Sequence, residues 1–303
     1  MKRTPRMAPK LAVLGLLCSA ALAVPAAAQA ASTLQKINDS GKIVLSYRES
    51  SVPLSYLEAA GKPVGMAVDI SKAVAEAVKR KLNKPNLKVE WVSVTSANRI
   101  PLLSNGTTDL ECGSTTNNSA RGKEVDFAIN HFYTGTRLLV KKSSGIKNYA
   151  DLKGKTIAIT TGTTNQQVVR KYSADQGLDI QIDSAKDHAD AFLLVQADRV
   201  AAFAMDDVLL FGLIANAKSP ADFEVVGDAL QVEPYACMLR KNDPEFKQLV
   251  DATIGDMMKS GAFEQAYNRW FMGPIPPRNT ALNLPMAAEL KKNLSELSDK
   301  PAQ

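Results

Sequence analysis

Histidine is scarce in this chain. His131 and His188 are the two among 303 residues, too few for a typical histidine-rich metal centre. Cysteine is almost as rare. Cys18 lies in the N-terminal leader, and Cys112 and Cys237 show no Cys-x-x-Cys spacing, which argues against a zinc ribbon or a thioredoxin-like redox site. In an exported chain an isolated pair favours a disulfide, although spacing alone does not bring the two together. Enzymatic signatures are missing too: there is no Gly-x-Ser-x-Gly, Walker loop, His-Glu-x-x-His or dinucleotide fingerprint. Glu49 and Asp206 could be drafted as catalytic carboxylates, but nothing in their spacing compels it. The expectation is a protein without metal, cofactor or catalytic residues.

Long apolar runs are also absent after the first thirty residues, so no membrane span is expected there. Within 1–30, Lys2, Arg3, Arg6 and Lys10 precede an apolar run from Leu11 to Val24, and Ala28-Gln29-Ala30 is a small-x-small cleavage site. Together they predict a secretory signal peptide cut after Ala30. Bulky Leu17 before Cys18 argues against lipidation. The leader holds four basic and no acidic side chains, so its loss takes the formal charge from +6 to +2. A nucleic-acid partner thereby loses its main support.

What is present is arginine in polar company. Arg48 lies in Tyr47-Arg48-Glu49-Ser50-Ser51, Arg99 follows Thr95-Ser96-Ala97-Asn98, and Arg121 ends Gly113 to Ala120, a run rich in Ser, Thr and Asn. A guanidinium is a planar fork of donors that matches a carboxylate in bidentate fashion. Three such forks, if convergent, suit a small ligand with two carboxylates.

Periodicity predicts strands at 42–46, 87–94, 108–112, 136–141, 156–160, 178–182, 200–205, 223–226 and 235–240. Helices are predicted at 69–82, 98–103, 165–173, 187–197, 245–260 and 263–271, with a further helix beyond Asp207 and a polar tail after Pro285. Strands alternate with helices in two series, which calls for two α/β units with largely parallel sheets. Ligands in such sheets sit beyond the carboxyl ends of the strands, where Arg48, Ser96, Ser114, Thr116, Gly162 to Thr164 and Asp206 all fall. Thr163 and Thr164 fit either a helix cap or an anion seat. Asp206 fits either a cap or an ammonium partner, and His188 could donate to a ligand or pair with Asp187.

Taken together, Arg48 to Pro53, Ser96 with Asn98 to Leu103, Glu111 to Asn118, Ser184 to His188, Met205-Asp206-Asp207, Asn268 to Phe271 and Pro274 to Pro277 resemble the periplasmic glutamate/aspartate-binding proteins of ABC importers. These belong to the polar-amino-acid branch of type II solute-binding proteins, and the resemblance spans nearly the whole mature chain. It implies a two-lobed α/β clamp: lobe one from 31–137 and 233–303, lobe two from 138–232, with crossings near Thr134 to Arg137 and Val232 to Tyr235. It implies that Arg121, Ser114 and Thr116 grip the α-carboxylate and that Asp206 meets the α-ammonium. Arg48, Ser96, Arg99 and His188 would read the side-chain carboxylate, with Thr163 and Thr164 closing from lobe two. It also sets the Cys112 and Cys237 strands side by side, which favours a disulfide. The implied partners are L-glutamate or L-aspartate and an inner-membrane permease, for a periplasmic monomer. The alternatives are an enzyme on the same fold, of dehydratase type, or a ligand sensor for a receptor kinase.

Overall fold

The computed structural model describes Met1, residues 32–58 and residues 61–302. The expected signal peptide, apart from Met1, lies outside the described residues. Among those described, no helix is long and apolar enough to cross a membrane.

The chain builds two groups of sheets. In the first, strand Lys42–Tyr47 runs parallel to Lys88–Ser93, with helix Met66–Lys81 between them in sequence. That helix turns Ile70, Val74 and Val78 inward at helical spacing and leaves its basic last turn, Lys79 to Lys81, on the outer side. A second pair, Val125–Thr134 with Glu233–Arg240, is antiparallel and bulged on both sides of Ala236. Residues 108–112 stitch the two pairs together. Leu110 bridges Leu45, Glu111 bridges Met238, and the Cys112–Cys237 disulfide closes a separation of 125 residues at the same place. The expected strand 108–112 is thus reduced to single bridges, because each neighbour takes only one residue of it.

The second group is one five-stranded sheet. Its order is Phe223–Val226, Thr136–Lys141, Ala202–Asp206, Thr156–Thr160, Gln181–Ala185. It is mixed: both pairings of Thr136–Lys141 are antiparallel and both pairings of Thr156–Thr160 are parallel. Alternation sets its two faces. Leu138, Val140, Ile157 and Ile159 bury on one side, while Leu139, Ala158 and Phe203 join Phe192 and Leu209 on the other. Helices Asn165–Gln176, His188–Gln196 and Asp207–Ala215 each start just beyond a strand of this sheet. The two sheet groups, flanked by helices, give the α/β two-lobed architecture.

Several elements differ from expectation. Strand Val125–Thr134 went unpredicted, since Asn130 and His131 interrupt its apolar pattern, and both are buried here. The strand expected at 178–182 lies at Gln181–Ala185. Helix Ala288–Glu296 stands where only a polar tail was expected, anchored by Leu290 and Asn293. The tail beyond it is hydrogen-bonded to the body: Asn130 Nδ2 donates to the Lys300 carbonyl, Asn117 Nδ2 to the Asp299 carbonyl, and the Ala302 N–H to the Asn117 carbonyl. The Asn268-Arg269-Trp270-Phe271 motif is structural. Trp270 donates its indole N–H to Asp69 at 2.7 Å and meets the Tyr56 ring edge-on.

Candidate functional site

Arg48 follows the first strand and is wholly buried, at 0 % exposure. Its Nη1 donates to Ser114 Oγ at 3.3 Å, and its Nη2 donates to Ser96 Oγ at 3.0 Å. The same Nη2 reaches across to the five-stranded sheet, lying 3.3 Å from His188 Nε2 and 3.5 Å from Asp187 Oδ1. A guanidinium only donates, so Nε2 must accept. Neutral His188 therefore carries its proton on Nδ1, which donates to Thr160 Oγ1 at 2.9 Å. Burial first, then the Arg48 charge, lowers the His188 pKa to about 3. Asp187 accepts from the His188 backbone N–H as the N-cap of its helix, and makes no bond to the imidazole.

Arg99 opens the short helix Arg99–Ser104 and is 1 % exposed. Nη1 donates to the Ser114 carbonyl at 3.0 Å, while its buried Nε, like that of Arg48, has no partner among the described residues. Burial, then the charges of Arg121 and Arg48, lowers its pKa to about 9. Arg121 uses two donors on carbonyls from opposite sides: Nη1 on Thr116 at 2.9 Å and Nη2 on Gly162 at 3.2 Å. Desolvation lowers its pKa, opposed by the charges of Glu233, Asp206 and Glu111.

Gly162 marks how closely the two sides approach. Its φ is +82°, and a Cβ there would lie 2.6 Å from Ala97 Cα and 2.7 Å from the Ser96 carbonyl carbon. Next to it, neither threonine caps the helix with its side chain. Thr163 donates to the Thr160 carbonyl at 2.8 Å, and Thr164 donates to Glu233 Oε2 at 2.6 Å. Thr116 donates to that same oxygen at 2.5 Å. Asp206 is not a side-chain cap either. It accepts from Asn165 Nδ2 at 2.7 Å and from the Tyr235 hydroxyl. Burial, then Glu233, raises its pKa well above the ordinary aspartate value.

Hydrogen bonds join Arg48, Ser96, Arg99, Ser114 and His188 in one group, Thr116, Thr164 and Arg121 with Glu233 in a second, and Asp206 with Asn165 and Tyr235 in a third. The charges of Arg48, Arg99, Arg121 and Asp206 link the three into one polar cluster, and Thr163 is bonded to its own turn. Sequence reasoning missed Glu233, Asn165 and Tyr235. A signal existed for Glu233 alone: an acid opening the apolar run Pro234 to Leu239 at an expected crossing. Chemically the cluster combines buried cations that exceed their protein acceptors with a compact acidic corner. It can hold an anionic group against the arginines and a cationic group against the acids.

Residues 43–273 match the bacterial extracellular solute-binding proteins, family 3. The chain is 48 % identical over 294 residues to the glutamate/aspartate import solute-binding protein of Escherichia coli (strain K12), covering 96 % of this chain and 97 % of that one. It is 46 % identical to the L-glutamate/L-aspartate-binding protein of Pseudomonas aeruginosa, covering 98 % and 99 %. Among solved structures, the solute receptor for L-cysteine of Neisseria gonorrhoeae superposes with a TM-score of 0.71 at 26 % identity, covering 86 % of this chain and 98 % of that chain. Two α/β lobes meeting at a polar cleft, and a family match over most of the chain, lead to one conclusion: this protein belongs to family 3 of the bacterial extracellular solute-binding proteins.

Proposed function

We propose that this protein is the substrate-binding component of an ABC importer for acidic amino acids, L-glutamate and L-aspartate. The observation that carries the reading is the convergence of Arg48, Arg99 and Arg121 at one cleft, two of them fully buried with Nε atoms that have no partner among the described residues. The relatives' glutamate and aspartate specificity supports it. Lobe one comprises 31–137 and 233–303 and lobe two 138–232, joined by two crossing segments. The protein reaches the periplasm after cleavage at Ala30 and works as a monomer.

Binding follows from the division of groups between lobes. Arg99, Arg48 and Ser96 receive the ligand's side-chain carboxylate, with His188 positioning Arg48. Arg121 and Ser114 take the α-carboxylate, and Asp206 faces the α-ammonium. Closure brings donors from both lobes onto the ligand and excludes water, so affinity depends on the closed form. The permease reads that closed form. Calorimetry on protein stripped of co-purified ligand, across the twenty amino acids, tests the reading. Saturable binding is expected for L-glutamate and L-aspartate with much weaker heats for L-glutamine and L-asparagine, and absence of binding by both acids overturns it.

A further inference from the structure

Glu233 is fully buried at the start of strand Glu233–Arg240, paired with Thr134 on the neighbouring strand. A single oxygen, Oε2, accepts from Thr116 on one side of the cleft and from Thr164 on the other, and its partner Oε1 accepts from Gln231 Nε2. The two threonine hydroxyls lie 3.5 Å apart. A hydroxyl has one proton and two lone pairs, and an ionised carboxylate only accepts. Each hydroxyl has thus committed its proton to Glu233, and what remains for the cleft is acceptor capacity.

We propose that Glu233 determines specificity for the amino group of the ligand: by taking the protons of Thr116 and Thr164 from opposite sides, it makes both hydroxyls acceptors for an α-ammonium. The inference rests on the acidic-amino-acid reading and deepens it. Thr116, which the resemblance assigns to the α-carboxylate, turns towards the other head of the ligand. Position agrees with this role. Glu233 and Tyr235 are two residues apart on one strand and share a face. Tyr235 donates to Asp206, while Thr116 forms a bridge with Tyr235. Glu233 adds a second carboxylate near Asp206, whose pKa is raised by burial and then by Glu233. A dicarboxylic acid without an amino group meets lone pairs and an acid here, which repel its carboxylates and leave the acceptors unmatched.

The test compares L-glutamate with glutarate, which keeps both carboxylates and lacks the amino group. Glutarate is measured by displacement of L-glutamate from wild type, Glu233→Gln and Thr164→Val. The expected result is at least a tenfold loss of L-glutamate affinity in Glu233→Gln with glutarate affinity unchanged or gained. Thr164→Val, at a half-buried position, should give the same split, L-glutamate weakened and glutarate unchanged or gained, and serves as the test should Glu233→Gln not fold. An L-glutamate affinity within threefold of wild type in both variants overturns the proposal. Equal weakening of both ligands also overturns it, since that is what a purely structural hinge residue would produce. Failure of wild type to bind L-glutamate would instead strike the underlying functional reading.

Discussion

Among the described residues Arg99 has one acceptor, the Ser114 carbonyl, for a guanidinium with five N–H donors, and burial lowers its pKa to about 9. The protein thus carries a desolvated cation that it does not itself neutralise, a cost a bound carboxylate offsets. Truncating one partner of a buried hydrogen-bonded charge pair costs roughly 2–5 kcal/mol, much of it from the charge left unpaired. Arg99→Ala should accordingly erase most of the preference for L-glutamate over L-glutamine, while L-glutamine affinity changes little. Calorimetry with both ligands checks this, and retained discrimination would refute the role. At this scale the sequence was informative about cations and poor about anions. Arg48, Arg99 and Arg121 stand out because each sits in a polar segment after an apolar strand. Glu233 offers a weak signal, an acid opening an apolar run at an expected crossing. Its importance comes from Thr116 and Thr164, which lie 117 and 69 residues away in sequence.

Among elements, the turn between strand Thr156–Thr160 and helix Asn165–Gln176 is one place where the two sides approach closely. Gly162 has both reasons to be glycine, a left-handed φ and no room for a Cβ against the backbone of Ser96 and Ala97. Because the obstructing atoms are main chain, they cannot rotate aside as a flexible side chain would. Gly162→Ala should weaken L-glutamate binding at least tenfold, about 1.4 kcal/mol, by opposing closure. Small-angle scattering should show the variant remaining more extended than wild type at saturating ligand; a wild-type affinity and a wild-type compaction would sink the idea. The same scale shows where pattern reading works. Phe223–Val226 and Thr136–Lys141 lie where alternation puts them. Strand Val125–Thr134 escapes because buried Asn130 and His131 break its pattern, and Asn130 is satisfied by distant partners, Ser298 and Lys300 of the C-terminal tail together with Asn117 and Asn293. Helix Ala288–Glu296 escapes because two buried residues, Leu290 and Asn293, anchor it, too few for a clear apolar stripe.

For the molecule as a whole, the two histidines predict an unusual proton balance. Both are fully buried. His131 donates from Nε2 to the Gly113 carbonyl, and burial outweighs that bond to lower its pKa to about 4; His188 is lowered to about 3. Unfolded histidine titrates near 6.5. Below that value the unfolded chain binds protons that the folded chain refuses, so stability falls as pH drops from about 6.5 towards 4. The slope is up to about 1.4 kcal/mol per pH unit for each histidine. Asp206, whose pKa is raised by burial and then by Glu233, works in the opposite direction and offsets part of it. Since the chain has no other histidine, proton NMR offers a direct check: neither imidazole should titrate in the native protein between pH 8 and 5. A midpoint near 6.5 for either would show that ring to be solvated.

Taken alone, the amino-acid sequence determined most of the strands and helices, though not strand Val125–Thr134 or helix Ala288–Glu296, that their polar ends carry arginines and hydroxyls, and that the chain resembles acidic amino-acid receptors. Those properties follow from local periodicity and from residue chemistry within a few positions. Only the tertiary structure decided that Cys112 meets Cys237, that His188 serves Arg48 through a defined tautomer, and that one oxygen of Glu233 gathers hydroxyls from both sides of the cleft. Each of these joins residues dozens of positions apart. Hydrogen-bond direction and desolvation act over a few ångströms of space, and chain folding, not sequence adjacency, sets those distances.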